Sequence, residues 1–131
     1  MTKAQLEALS EFRYSLRRFL RFSEDAAREA GVTPLHYQLM LHIAGMPGRE
    51  YASVSELAER LQSQHHGVVA LVSRCEQSGL VQRRPGREDR RQVEVHLLPK
   101  GRACLDRLAA LHREQLAFLA EATAAAAAQK P

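Results

Sequence analysis

The chain lacks most of what marks a secreted, membrane-spanning or covalently stapled protein. Its 131 residues include two cysteines, Cys75 and Cys104, and no C-x-x-C, so no disulfide framework is expected. No apolar run exceeds five residues (Val68 to Val72 is one), too short to span a bilayer. Met1-Thr2-Lys3-Ala4-Gln5 leads directly into charged amphipathic chain instead of the apolar stretch of a secretory leader. These absences point to a reducing cytoplasm and to no membrane. Catalytic signatures are missing too. There is no G-x-S-x-G, P-loop or H-E-x-x-H, and no nucleophile–base pair close in sequence, so an enzyme is not expected. Hydrophobic residues at 45% and charged residues at 26% exclude a wholly disordered chain, and the length suits one domain, 1–131.

The charge is unevenly placed. Nineteen Lys and Arg against fifteen Asp and Glu leave a formal +4, and the excess falls within residues 83–102. That window holds Arg83, Arg84, Arg87, Arg90, Arg91, Lys100 and Arg102 against Glu88, Asp89 and Glu94, and the rest of the chain balances. A basic excess packed into one segment is the footprint of a polyanion contact, the alternative being a solvated surface loop.

Periodicity and punctuation predict six elements in order. Leu6, Leu9, Phe12, Leu16, Phe19 and Leu20 recur at helical spacing, giving a first helix from Gln5 to about Arg28 that Gly31 stops. Thr33 and Pro34 read as an N-cap and a first-turn proline, opening a second helix to about Ala44. Ser53-Val54-Ser55-Glu56 has capping-box form and opens a short helix to Leu61. After the tight connection Gln62-Ser63-Gln64, a further helix runs from His65 to about Ser78 and stops at Gly79. The period then changes to two. Leu80 to Arg84 and Gln92 to Leu97 suit strands, joined by the polar loop Pro85 to Arg91. One long last helix opens at Pro99, carries Leu105, Leu108, Leu111, Leu116 and Leu119, and dissolves into the alanine tail 124–128.

The predicted fold class is mostly α with a small β-wing (α+β): a winged helix-turn-helix over about 33–98, flanked by helices at about 4–30 and 99–128. The second helix of such a motif fits the major groove, and a basic two-stranded wing reaches the adjacent minor groove.

Several segments resemble one family at this point. Thr33-Pro34-Leu35-His36-Tyr37-Gln38-Leu39-Met40-Leu41, Ser53-Val54-Ser55-Glu56-Leu57-Ala58-Glu59-Arg60-Leu61, Gly79-Leu80-Val81, Asp89-Arg90-Arg91 and Leu97-Leu98-Pro99-Lys100-Gly101-Arg102 are similar to the multiple-antibiotic-resistance regulator (MarR) family, over about residues 30–110. The resemblance implies a bacterial or archaeal homodimeric regulator, usually a repressor, on pseudo-palindromic promoter DNA. Many such regulators are released by a small, often phenolic molecule bound between the dimer helices and the winged domain, and some respond to oxidants. The resemblance makes Arg91 the wing-tip arginine of the minor groove and Asp89 its brace; the plainer alternative is a surface ion pair.

The remaining candidates follow from exposure and chemistry. Gln64, His65 and His66 suit base edges or phosphates, and Val69 a thymine methyl. Arg87 and Arg90 suit phosphates, as do Arg74, Ser53 and Ser55; for the serines the alternative is capping alone, and for Arg74 solvent. Many relatives carry Ser or Thr and then Arg where this chain has Val69 and Ala70, so base readout leans on the histidines, on DNA shape or on the wing. A metal at His65 and His66 is disfavoured because helical neighbours diverge by about 100°. Tyr14, Arg17, Arg18, His36 and Tyr37 lie on helices that border the family's ligand site and would suit an anionic aromatic effector. The alternatives there are a core Tyr37 and solvated arginines. Cys75 shares an apolar stripe with Val68, Leu71 and Val72, which favours a buried, inert thiol over a redox sensor. Leu98 stands where the family has a capping threonine, and the single last helix implies a dimer narrower than that of relatives with two C-terminal helices. No cofactor is expected. The rival functions are an effector-independent winged-helix DNA binder, a protein-interaction module and a thiol-based redox sensor.

Overall fold

The helices begin where the sequence supplies a cap. In the computed structural model, which describes residues 1–129, Thr2 and Gln5 form a reciprocal capping box that starts α1 (Lys3–Glu29). The Thr33 hydroxyl accepts from the His36 N–H at 3.1 Å, and Pro34 occupies the first position of α2 (Pro34–Ala44). The Ser53 hydroxyl accepts from the Glu56 N–H at 3.1 Å, while the Glu56 carboxylate accepts from the Ser53 N–H at 2.9 Å, opening α3 (Val54–Leu61). Gln62 then turns through the left-handed region (φ 50°) and α4 (His65–Gln77) follows. A non-glycine residue in that region costs about 1–2 kcal/mol, so the turn between α3 and α4 is held by its surroundings. The Ser63 N–H donates to the Ala58 carbonyl at 3.0 Å, one of the bonds that hold it.

Strands β2 (Val81–Pro85) and β3 (Val93–Leu97) form the expected hairpin, each starting one residue later than predicted. A third strand, β1 (Tyr51–Ser53), escapes prediction because three residues carry no measurable period. It pairs antiparallel with β3, Tyr51 opposite His96, in a sheet of order β1-β3-β2. This strand also changes the meaning of the alternation in β3. Val95 faces the core, but the polar face is not left to water, since Glu94 and His96 are both buried.

The last helix is a correction. Two helices replace it, α5 (Pro99–Leu111) and α6 (Arg113–Ala127), and the alanine tail expected to dissolve is helical through Ala127. The break is at His112, whose ring is 3% exposed and whose Nδ1–H donates to the Leu108 carbonyl at 2.6 Å. The backbone N–H of His112 bonds instead to the Ala109 carbonyl, so a side chain inserted into the ladder interrupts it. The ring lies edge-on to Phe19 and Phe22 of α1, at 5.7 and 5.3 Å between centroids.

The residues divide into two compact units: residues 1–31 together with the chain from Leu108 onward, and Val32–Arg107. In the first, α1 packs along α6. The second is the winged helix-turn-helix. Its core holds Tyr37, Leu39, Met40 and Ile43 of α2, Leu57 of α3, Val68, Leu71, Val72 and Cys75 of α4, and Val81 and Val95 of the sheet. Among the described residues no helix is long and apolar enough to cross a membrane.

Candidate nucleic-acid interface

The apolar stripe of α4 dictates what its other face presents. With Val68, Leu71, Val72 and Cys75 turned inward, the first turns expose Gln64, His65, His66, Gly67, Val69 and Ala70. Gln64 is the N-cap residue, yet its side chain makes no capping hydrogen bond. Beside it, a shallow concavity of about 520 Å³ is lined by Ser55, Ala58, Glu59, Gln62, Ser63, Gln64 and His65, so the α3–α4 turn brings Ser55 together with the start of α4. Ser53 sits back from this surface as the half-buried cap of α3. Arg74 lies nine residues beyond His65, about 13 Å along the axis at 1.5 Å per residue. It is exposed near the far end of α4, and His36 of α2 is held below its ordinary value by burial and then by the Arg74 charge.

The hairpin loop closes through Gly86. Its N–H donates to the Gln92 carbonyl at 2.8 Å, and a Cβ there would lie 2.3 Å from the Asp89 carbonyl oxygen, which only glycine avoids. Beyond that closure Asp89 and Arg91 form a compact pair. The Asp89 carboxylate accepts from the Arg91 backbone N–H at 3.0 Å and from Nε at 3.2 Å. The Arg91 side chain is nevertheless 92% exposed, so the aspartate orients a guanidinium that still faces solvent. The same bonds hold the Asp89 carboxyl below the usual carboxylate range, side-chain bond first. Arg90 is exposed beside them. Arg87 is also exposed but tethered: its N–H donates to Glu94 at 3.2 Å, and its guanidinium lies 5.3 Å from the Tyr51 ring centroid.

Several residues that shape this surface were not among the sequence candidates. Tyr51, on the strand that sequence missed, stacks on His96 at 5.1 Å and takes the Arg49 guanidinium at 5.0 Å. Arg49 also pairs with Glu56, tying the loop before β1 to the capping box of α3. Burial pushes the Glu56 carboxyl up, but hydrogen bonds from Ser53 and Arg49 outweigh it and the net shift is downward. Glu94 is lowered as well, chiefly by its 2.8 Å hydrogen bond with His96 and less by the Arg87 N–H. The base of the wing is therefore a cross-braced cluster of charge around one tyrosine. The alternation of β3 placed Glu94 and His96 on one face, but not that Tyr51 covers it.

Behind the hairpin, α5 starts against Leu80. The Leu98 N–H donates to the Leu80 carbonyl at 3.0 Å, and a Cβ on Gly101 would lie 2.1 Å from that same oxygen. The Gly101 position thus allows a helix to touch the backbone that launches the wing.

The effector candidates fall in both units. Tyr14, Arg17 and Arg18 line an open cleft of about 930 Å³ along α1, with Arg13, Leu20, Phe22 and Gln115 also in its wall. There the Arg18 guanidinium stands 5.6 Å from the Tyr14 ring and 5.9 Å from that of Phe118. Tyr37, in the second unit, is a core residue whose burial pushes its phenol up, and the neighbouring His36 is half-buried. Cys75 is fully buried and its thiol is pushed up to about 11 by desolvation; Cys104 is buried too. Among the described residues no three His, Cys, Asp or Glu side chains gather where they could hold a metal ion.

Residues 30–92 match the model of the MarR family. A putative transcriptional regulatory protein for the hcr operon of Thauera aromatica is 32% identical over 90 residues, 69% of this chain. That match covers 52% of the relative, so the chain spans about half the length of the curated relative it matches. AbsC, a MarR family transcriptional regulator from Streptomyces coelicolor, superposes with a TM-score of 0.70 at 19% identity, over 93% of this chain and 80% of that one. A MarR mutant from E. coli solved with operator DNA gives 0.67 at 18%, over 82% and 75%. At these identities the structural likeness is one of fold, and it extends on both sides of the matched segment. The chain thus carries a MarR-family segment over residues 30–92, set in a fold shared with solved MarR-family regulators.

Proposed function

We propose that this protein is a sequence-specific DNA-binding transcriptional regulator that acts by binding, not catalysis. One observation carries the reading: an exposed, polar N-terminal turn of α4 and, on the wing of the same unit, an arginine that is oriented by an aspartate and yet 92% exposed. An α-helix end of this kind fits the major groove, and an oriented guanidinium fits the negative potential of a narrow minor groove. The E. coli relative solved with operator DNA supports the same partner here. The reading includes repression at a pseudo-palindromic promoter site by a homodimer in the cytoplasm. The dimer is supported by the apolar side chains that the first unit leaves exposed, among them Leu6, Leu9, Leu20, Leu116 and Phe118. A small anionic aromatic effector fits the cleft where Arg18 stands between Tyr14 and Phe118.

Fluorescence anisotropy with the DNA upstream of the protein's own gene, over a series of salt concentrations, tests the reading. Tight, salt-steep binding is expected, with Arg91→Ala weakening it by about 1–3 kcal/mol. Asp89→Asn, which keeps the shape and loses the charge of the brace, is expected to fall between the two. Binding no tighter than to random duplex, for wild type and Arg91→Ala alike, would favour a protein-interaction module.

A further inference from the structure

The wing arginines differ in where their side chains go. Arg84 reaches Gln82 and Arg91 reaches Asp89 within the hairpin, and Arg87 reaches Glu94 and the Tyr51 ring of β1. Arg83 crosses instead to α4. Its Nη2 donates to the Val69 carbonyl at 2.9 Å and to the Ser73 hydroxyl at 2.8 Å, and its Nη1 donates to Glu76 Oε1 at 2.9 Å. The Arg83 backbone N–H donates to the other Glu76 oxygen at 2.9 Å, so one residue occupies both oxygens of that carboxylate. Val69, Ser73 and Glu76 stand at i, i+4 and i+7, a single face of the helix spanning about 10 Å. A planar guanidinium clamped at both ends of such a face resists sliding and rotation of the helix against the strand, which a point charge does not.

We infer that Arg83 is a positioning residue for DNA recognition: it fixes the angle between α4 and the wing so that both enter their grooves in register. The inference rests on the DNA-binding reading above. Val69 joins the two roles, because its carbonyl takes the guanidinium while its side chain, 38% exposed, belongs to the surface offered to DNA. The Arg83 side chain is 27% exposed and its charge is met by Glu76, so it is spent on the protein and not on a phosphate. Register matters for a chosen sequence, where helix and wing must both find their contacts. It matters little on random DNA, where phosphates repeat at every step.

The test starts with wild-type protein selecting its preferred duplex from a randomised pool. Affinities for that duplex and for random duplex are then measured over a salt series for Arg83→Ala, Arg83→Lys, Glu76→Gln and the Arg83→Ala/Glu76→Gln double variant, with thermal unfolding of each. Arg83→Ala and Glu76→Gln are each expected to lose about tenfold or more on the preferred duplex while random binding changes by about twofold or less. The double variant is expected to be no worse than the weaker single one, since both changes break the same clamp. Arg83→Lys keeps the charge but not the fork, and is expected to lose selectivity with its salt slope unchanged. Glu76→Gln is isosteric and keeps the experiment decisive should Arg83→Ala fail to fold. Equal losses on both duplexes, with the salt slope falling by about one, would make Arg83 a phosphate contact and overturn the inference. A lower melting temperature with the preferred-to-random ratio intact would make the clamp merely structural, and would overturn it too. A wild-type protein that enriches no duplex would instead overturn the DNA reading itself, and this inference with it.

Discussion

Four carboxylates of the winged unit are held below their ordinary range, and each has a named partner. Glu76 is lowered first by the Arg83 N–H, Asp89 by the Arg91 side chain and Glu94 by His96, while for Glu56 the bonds from Ser53 and Arg49 overcome an opposing burial. A carboxylate depressed in the folded state contributes stability above its unfolded pKa and loses it as pH falls through the folded value. The protein is therefore expected to keep its stability down to about pH 4–5 and lose it progressively below. Unfolding followed by circular dichroism against pH checks this, with Glu94→Gln flattening the acid limb; a limb unaltered in that variant would remove Glu94 from the account. The cysteines make the opposite case. With the Cys75 thiol at about 11 and its side chain in the core, thiolate is negligible at neutral pH. Cys75 is expected to react with Ellman's reagent only after unfolding, and peroxide to leave DNA binding unchanged; rapid native labelling at Cys75 would restore the redox-sensor reading.

Among the elements, the hairpin and the helix behind it depend on two glycines for different reasons. Gly86 closes the wing loop against the Asp89 carbonyl, whereas Gly101 brings α5 onto the Leu80 carbonyl. Gly101→Ala forces a methyl into a backbone oxygen that no rotamer change relieves. It is expected to destabilise by about 1–3 kcal/mol in urea unfolding, with the heaviest loss of amide protection at Leu80 and Leu98. Uniform protection in the variant would mean that α5 simply shifts outward. The capping box at Ser53 and the Thr33 cap were legible because a cap is a contact across three residues, whereas the Thr2 box went unread and α1 starts at Lys3, ahead of the expected Gln5. The break at His112 was not, because a histidine in a helical run breaks it only when two phenylalanines from another helix bury its ring. For the same reason the expectation of a single last helix failed, and with it the argument for a narrower dimer: two C-terminal helices are present.

At the scale of the whole molecule, the first unit leaves several large apolar side chains exposed. Leu9 is 44% exposed on α1 and Phe118 57% exposed on α6, a density of apolar side chain that calls for a covering partner. In the proposed homodimer that partner is a second copy. Leu9→Glu combined with Leu116→Glu is expected to give a folded monomer by sedimentation velocity, and to weaken operator binding by far more than either charge could by repelling phosphate. A wild-type protein that sediments as a monomer at micromolar concentration would count against the dimer. The basic excess of residues 83–102 is divided in the folded chain, some of it spent internally by Arg83 and some offered outward by Arg87, Arg90 and Arg91. The uneven charge pointed to a polyanion contact or a solvated loop, and did not contain this division.

Local physics, written along the chain, determined most of the element order: the 3.6-residue period of α1, α2 and α4, the hydroxyl caps, the glycine stops and the two-residue period of β3. The pairing of Asp89 with Arg91 was expected from the family resemblance, and the two residues do bond within the wing loop. Tertiary structure alone decided the third strand, the covering of Glu94 and His96 by Tyr51, the helix break at His112 and the clamp from Arg83 to Val69, Ser73 and Glu76. Each of these joins different elements or depends on burial between them, and a one-dimensional pattern records the period of a segment but not the segment it will meet.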